Sequence, residues 1–265
     1  MFVEAHTKDR GHDLGGEMSQ RKIALDVQDL SKSYGALQVT KHVSLRLHEG
    51  DALGIIGPNG AGKTTLFNLI TGAVRPNGGT VHFFDQNVTA MQARQRCHLG
   101  IGRSFQVPQP FSGLTTFENV LVAACFGQRI SQTSARETAR LALEQTGLAH
   151  LAKDKAGSLT LLNRKRLELA RAIATRPRML LLDEIAGGLT EAECHDLITL
   201  ILNIKESGVT IVWIEHVLHA LLSVVDRIAV LDFGELIAEG EPDTIMKSPE
   251  VSSIYLGLEP ESADV

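Results

Sequence analysis

The run Gly57-Pro58-Asn59-Gly60-Ala61-Gly62-Lys63-Thr64-Thr65 carries residue types that can grip a polyphosphate, at a spacing that lets them act together. Glycines let backbone N–H groups approach phosphate oxygens, and a helix opening at Lys63 aims unpaired N–H groups and its positive dipole end at the same anion. In that arrangement Lys63 reaches the β- and γ-phosphates and the Thr64 hydroxyl holds magnesium. A glycine-rich surface turn is the plainer alternative. The flanks argue against it: Ala52, Leu53, Ile55 and Ile56 form a short apolar stretch before the loop, and Leu66, Phe67, Leu69 and Ile70 recur at helical spacing after it. Strand, loop and helix in that order make a nucleotide site.

Asp183 and Glu184 follow the apolar run Met179 to Leu182. Adjacent positions at a strand end place their side chains on opposite faces, so one acid can address the metal while the other faces attacking water. Asp183 is accordingly assigned to magnesium, through a coordinated water, and Glu184 to general-base or water-orienting duty on the γ-phosphate. In open parallel sheets ligands bind outside the carboxyl ends of the strands. Gln106, after Ile101 to Phe105, and His216, after Val209 to Ile214, lie at such ends as well. Singly each reads as an ordinary loop or core polar residue; with the loop and the acids they point to one site.

The elements that must position these residues are legible in outline. Strands are expected at Ile23 to Val27, Val43 to Leu47, Ala52 to Ile56, Val81 to Phe84, Ile101 to Phe105, Met179 to Leu182, Val209 to Ile214, Ile228 to Leu231 and Leu236 to Ala238. The early ones alternate apolar and polar residues, as half-exposed antiparallel sheet does, whereas Met179 to Leu182 and Val209 to Ile214 are continuously apolar, as buried parallel strands are. Between Pro108 and about Asn163 the strand signal gives way to helical segments around Glu118 to Phe126 and Ala135 to Thr146.

With 265 residues the chain can bury a substantial core, and its net charge of −5, with no stretch that gathers enough Lys and Arg to neutralise many phosphates, argues against a nucleic-acid partner, local basic clusters aside. Cys97, Cys125 and Cys194 are widely spaced and lack CxxC spacing, so neither a disulfide framework nor a zinc site is suggested. No stretch approaches the roughly 20 continuous apolar residues that span a bilayer. Residues 1–21 read as a flexible polar tail, with Met18 an alternative start, and residues 258–265 as a second tail.

Taken together, the motifs resemble ABC-type ATPases, the ATP-binding cassettes of membrane transporters, over roughly Ile23 to Gly257. Gly57 to Thr65 matches the Walker A loop, Leu180 to Glu184 Walker B with its catalytic glutamate, Gln106 the Q-loop and His216 the switch histidine. The resemblance implies an α/β P-loop NTPase fold, with a RecA-like parallel-sheet core, an antiparallel β subdomain and an inserted α-helical lobe at about 108–166, all within a domain spanning 22–257. It implies ATP and Mg2+ as ligands, catalysis by Glu184, His216 and Gln106, and metal contacts from Thr64, Gln106 and Asp183. Tyr34 would stack on adenine. Gly100-Ile-Gly-Arg-Ser-Phe-Gln106, Phe117-Glu-Asn-Val120, Ile214-Glu-His216 and Ile254-Tyr-Leu-Gly257 further resemble the longer ATPase subunit of branched-chain amino acid uptake systems.

That resemblance implies a second ATPase subunit, two membrane permeases and, indirectly, a periplasmic solute-binding protein, with this chain peripheral at the cytoplasmic face of the inner membrane. Another amino acid, an amide or a small organic acid fits as cargo equally well. Two departures stand out. The family's Leu-Ser-Gly-Gly-Gln signature reads Leu159-Thr160-Leu161-Leu162-Asn163 here, so Thr160 can replace the serine hydroxyl that reaches a partner's γ-phosphate while Asn163 becomes a candidate N-cap. Ile185 to Thr190 lacks the usual acid or amide of the segment linking the two sites. A nucleotide-dependent switch with little hydrolysis is therefore the competing function. Phe111, Leu114 and Phe117 are the candidate apolar contacts for a permease, a core role being the alternative.

Overall fold

The computed structural model describes residues 21–128, 130–249 and 251. The expected tails, apart from Arg21, and the Ile254 to Gly257 segment lie outside the described residues. The chain opens with a long hairpin, β1 (Ile23–Tyr34) and β2 (Leu37–His48), then enters β3 (Ala52–Ile56) and α1 (Lys63–Thr71). There follow β4 (Gly78–Phe83), β5 (Gln86–Asn87), α2 (Ala93–Leu99) and β6 (Ile101–Arg103). Three helices come next, α3 (Thr116–Gln128), α4 (Gln132–Gln145) and α5 (Leu161–Ile173). The chain then returns through β7 (Met179–Asp183), α6 (Glu191–Glu206), β8 (Thr210–Ile214), α7 (Leu218–Leu222), β9 (Arg227–Asp232), β10 (Glu235–Gly240) and α8 (Pro242–Met246).

Two sheets result, an antiparallel one ordered β2-β1-β4-β5 and a larger one ordered β10-β9-β3-β8-β7-β6. Within the second, β9, β3, β8, β7 and β6 run parallel and β10 closes one edge antiparallel. The period-2 alternation of side chains sorts its apolar strands onto two cores. Leu180, Leu182, Ile211 and Trp213 face a cluster shared with α6 and α7, while Met179, Leu181, Val212 and Ile214 face a cluster shared with α1 and the antiparallel sheet. A third cluster lies among α3, α4 and α5, where Val120, Ala139, Leu143 and Leu167 are buried. Phe117 packs against it, partly buried, whereas Phe111 is half exposed.

Several expected boundaries move. β1 and β2 are each 12 residues long, because their pairing continues through register shifts to the Tyr34–Leu37 turn, beyond the stretch that packs on the core. Apolar alternation marks only the packed part. β6 ends at Arg103, two residues short of Phe105, which is largely exposed. β5 and α2 were not expected: both residues of β5 are exposed, and the only side chain of α2 that is buried is Arg96. That arginine is structural. Its guanidinium donates to the carbonyls of Leu69 and Ile70, both at 2.7 Å, and to those of Thr89 and Met91, so it caps the C-terminal end of α1. Among the described residues no helix is long and apolar enough to cross a membrane.

Candidate active site

The loop from Gly57 to Gly62 leaves β3 and enters α1 with two glycines that no other residue could replace. Gly57 has φ 153° and a Cβ there would lie 2.1 Å from the Leu231 carbonyl oxygen; Gly62 has φ 98° and a Cβ would lie 2.5 Å from that of Val39. Gly62 also supplies no capping side chain, so the first turn of α1 keeps its N–H groups for an anion. Lys63, 6% exposed, folds back across the loop and donates from Nζ to the carbonyls of Gly57 at 2.6 Å and Pro58 at 2.9 Å. Burial pushes its ammonium below the ordinary 10.5, and Glu184 and then Asp183 oppose that shift.

A cavity of about 190 Å3 lies against this loop, lined by Asn59, Gly60, Ala61, Gly62, Lys63, Thr64 and Thr65 together with Val39 and Glu184. Glu184 thus meets the phosphate loop although it lies 121 positions after Lys63 in the chain. Its backbone is in the left-handed region, φ 46°, just past the end of β7, and its N–H donates to the Ile214 carbonyl at 2.8 Å. Two residues hold the carboxylate. His216 Nε2 lies 2.9 Å from Oε1, and the Gln106 side-chain amide donates to Oε2. A carboxylate so oriented beside a cationic, amide-rich cavity can take a proton from a water attacking a bound phosphate.

Asp183 takes a different position. It is the last residue of β7, 3% exposed, and its Oδ2 accepts from Arg103 Nη2 at 2.8 Å while Arg103 Nη1 donates to Asn68 Oδ1 of α1 at 2.6 Å. Its side chain lies on the α1 side, and that of Glu184 faces the cavity. The two acids have different hydrogen-bond partners although both lie within electrostatic reach of Lys63, and the left-handed turn at Glu184, which strand alternation alone does not contain, contributes to that difference.

Thr160 and Tyr34 do not line the cavity. Thr160 is exposed and is the N-cap of α5, accepting from the Asn163 N–H at 3.3 Å, so Asn163 is not the cap: it occupies the third helical position and supplies the donor. Tyr34, half exposed at the hairpin end, has the Lys32 ammonium 5.2 Å from its ring centroid. Val39 and Arg103 belong to the site without having been singled out. Arg103 had a signal, a charge inside the otherwise uncharged strand expected at Ile101 to Phe105; Val39 had none, since it reaches the loop only because the hairpin folds over it.

The sequence profile of the family described as ABC transporter matches residues 40–187. Over 248 residues the chain is 36% identical to the high-affinity branched-chain amino acid transport ATP-binding protein BraF of Pseudomonas aeruginosa, covering 88% of this chain and 97% of that one. It is also 36% identical to the corresponding protein LivG of Escherichia coli, with the same 88% and 97% coverage. The crystal structure of an ATP-binding cassette of an ABC transporter in its ADP conformation superposes with a TM-score of 0.81 at 33% identity, covering 89% of this chain and 99% of that one. With a profile match over more than half of its length and relatives spanning most of it, the chain belongs to the ABC transporter family, as an ATP-binding cassette that hydrolyses ATP to drive transport.

Proposed function

We propose that this chain is the ATPase subunit of an importer for branched-chain amino acids or for related amino acids and amides. It works from the cytoplasmic face of the inner membrane with a second cassette and two permeases, fed by a periplasmic solute-binding protein. The names of BraF and LivG, at 36% identity across 88% of the chain, support the cargo class. ATP draws the two cassettes together, and hydrolysis with phosphate release lets them part. Phe111, half exposed, remains a permease contact, whereas Phe117 contributes to the helical core.

The observation that carries the catalytic reading is the cavity shared by Glu184 and the phosphate loop, with Gln106 and His216 fixing the Glu184 carboxylate. Backbone N–H groups at Gly60 to Thr65 and the Lys63 ammonium bind and orient the phosphates, with Tyr34 assigned to the adenine. Glu184 accepts the proton of the attacking water, and His216 holds the carboxylate in line. Thr64, Asp183 and Gln106 offer a hydroxyl, a carboxylate and an amide oxygen, hard donors suited to Mg2+. Among the described residues no three acids, histidines or cysteines cluster as a metal cage. When bound, the ion would supply positive charge that offsets charge on the phosphates during transfer.

Changing Glu184 to Gln tests this reading against a switch that binds ATP without useful hydrolysis. Turnover in the transporter complex should fall roughly 100-fold or more, with ATP affinity retained. A wild-type complex no faster than this variant would leave only the switch.

A further inference from the structure

Glu215 stands between the last residue of β8 and His216, is 1% exposed, and has no part in the chemistry above. Its Oε2 accepts the Ala186 N–H at 2.8 Å, and its Oε1 accepts the N–H groups of His216 at 2.9 Å and Val217 at 3.3 Å. Ala186 lies two residues past Glu184. One carboxylate therefore closes the segment after β7 onto the segment after β8, the two stretches that carry Glu184, which lines the cavity, and His216, which meets the Glu184 carboxylate.

A buried charge is tolerated only when hydrogen bonds or an opposite charge compensate it. Here three backbone donors do so, and Lys165 of α5, itself 4% exposed, lies within electrostatic reach of Glu215 and, more weakly, of Glu184. The His216 ring, with its side chain 39% exposed, is held at its tip by the Glu184 carboxylate at 2.9 Å and at its root by its backbone. The root is where Glu215 acts.

We propose that Glu215 is a positioning residue for hydrolysis: it locks the backbones of Ala186 and His216 to one another and so sets the His216 ring against Glu184. The inference rests on the roles given to Glu184 and His216 above. It also joins the Ile185 to Thr190 segment, through Ala186, to the catalytic histidine without a side-chain relay. A glutamine at this position would turn an NH2 group toward an N–H donor, so either the Ala186 contact or the His216 and Val217 contacts must be given up.

The test compares Glu215→Gln, His216→Ala and the double variant, each in the full-length chain within its transporter complex. Glu215→Gln should lower kcat roughly 10- to 100-fold, as misplacement of a catalytic group does, with KM for ATP and ADP affinity within about twofold of wild type. The double variant should be no slower than His216→Ala alone, because residues acting as a unit are non-additive. Hydrogen exchange should show lost protection at the amides of Ala186, His216 and Val217, with β7 and β8 unchanged. A merely structural glutamate would lower kcat and nucleotide affinity together or add its loss to that of His216→Ala, and either result overturns the proposal. A wild-type rate in Glu215→Gln beside a slow His216→Ala sinks this inference alone, whereas a wild-type rate in His216→Ala sinks the underlying site assignment and this inference with it. Should Glu215→Gln fail to fold, Glu215→Asp carries the same comparison: slowed kcat at unchanged KM supports the proposal, and wild-type kcat overturns it.

Discussion

Asp183 is the residue at which local chemistry is most constrained. It is buried to 3% exposure, and the Arg103 guanidinium, itself seated between the rings of Phe67 and Phe105 with centroids 5.7 and 5.1 Å away, provides its counter-charge. Arg103→Ala removes the hydrogen-bonded counter-charge of that carboxylate and leaves the Lys63 ammonium, which Asp183 also feels, as its remaining cation, a loss of up to about 3–5 kcal/mol for a buried pair. Urea unfolding should show that loss; a change under about 1 kcal/mol would mean that Asp183 is solvated in the folded protein and the pair is incidental. The acid pair itself was legible in the sequence, since two carboxylates directly after Met179 to Leu182 admit few readings. Its counter-ion was not, because a strand end 80 residues away supplies it.

At the scale of elements, the altered signature segment shows how a helix start can survive the loss of its glycines. Thr160 has extended backbone and its hydroxyl accepts from the third N–H of α5, a capping contact whose removal costs about 1 kcal/mol. Thr160→Ala should lower stability by about that amount in a thermal melt, and Asn163→Ala by less; the reverse order would contradict the observed cap. The choice between Thr160 and Asn163 could not be made from residue type, as both are good caps, and depended on where the chain leaves the 3₁₀ turn Ala156–Ser158. β5 and α2 were likewise invisible, having no apolar stripe, yet Arg96 of α2 secures the end of the helix that begins at the phosphate loop.

On the scale of the whole molecule, three separate apolar clusters hold two sheets and a group of helices around one rim of strand ends. Leu161 at the start of α5 lies against the Ile185 to Thr190 segment, its Cδ2 3.4 Å from where a Cβ on Gly188 would stand. The two departures from the family pattern are therefore neighbours. We infer an asymmetric pair of cassettes, in which the Walker residues of this chain form a full site with the partner's signature while its own signature serves a weaker one. Lys63→Ala in this chain should then abolish most turnover, and the matching change in the partner should cost much less. Equal losses would count against asymmetry.

What the sequence by itself determined was the identity of the chemistry: glycines around a lysine, acids after an apolar run, and the period of each strand are local properties, and local sterics and hydrogen bonding set them. What only the tertiary structure decided was which distant groups meet. The left-handed turn at Glu184, the approach of Gln106 and His216 to its carboxylate, the counter-ion of Asp183 and the three amides on Glu215 all arise from strand order in one sheet. Pairing across a sheet joins residues by spatial adjacency, which their separation along the chain does not encode.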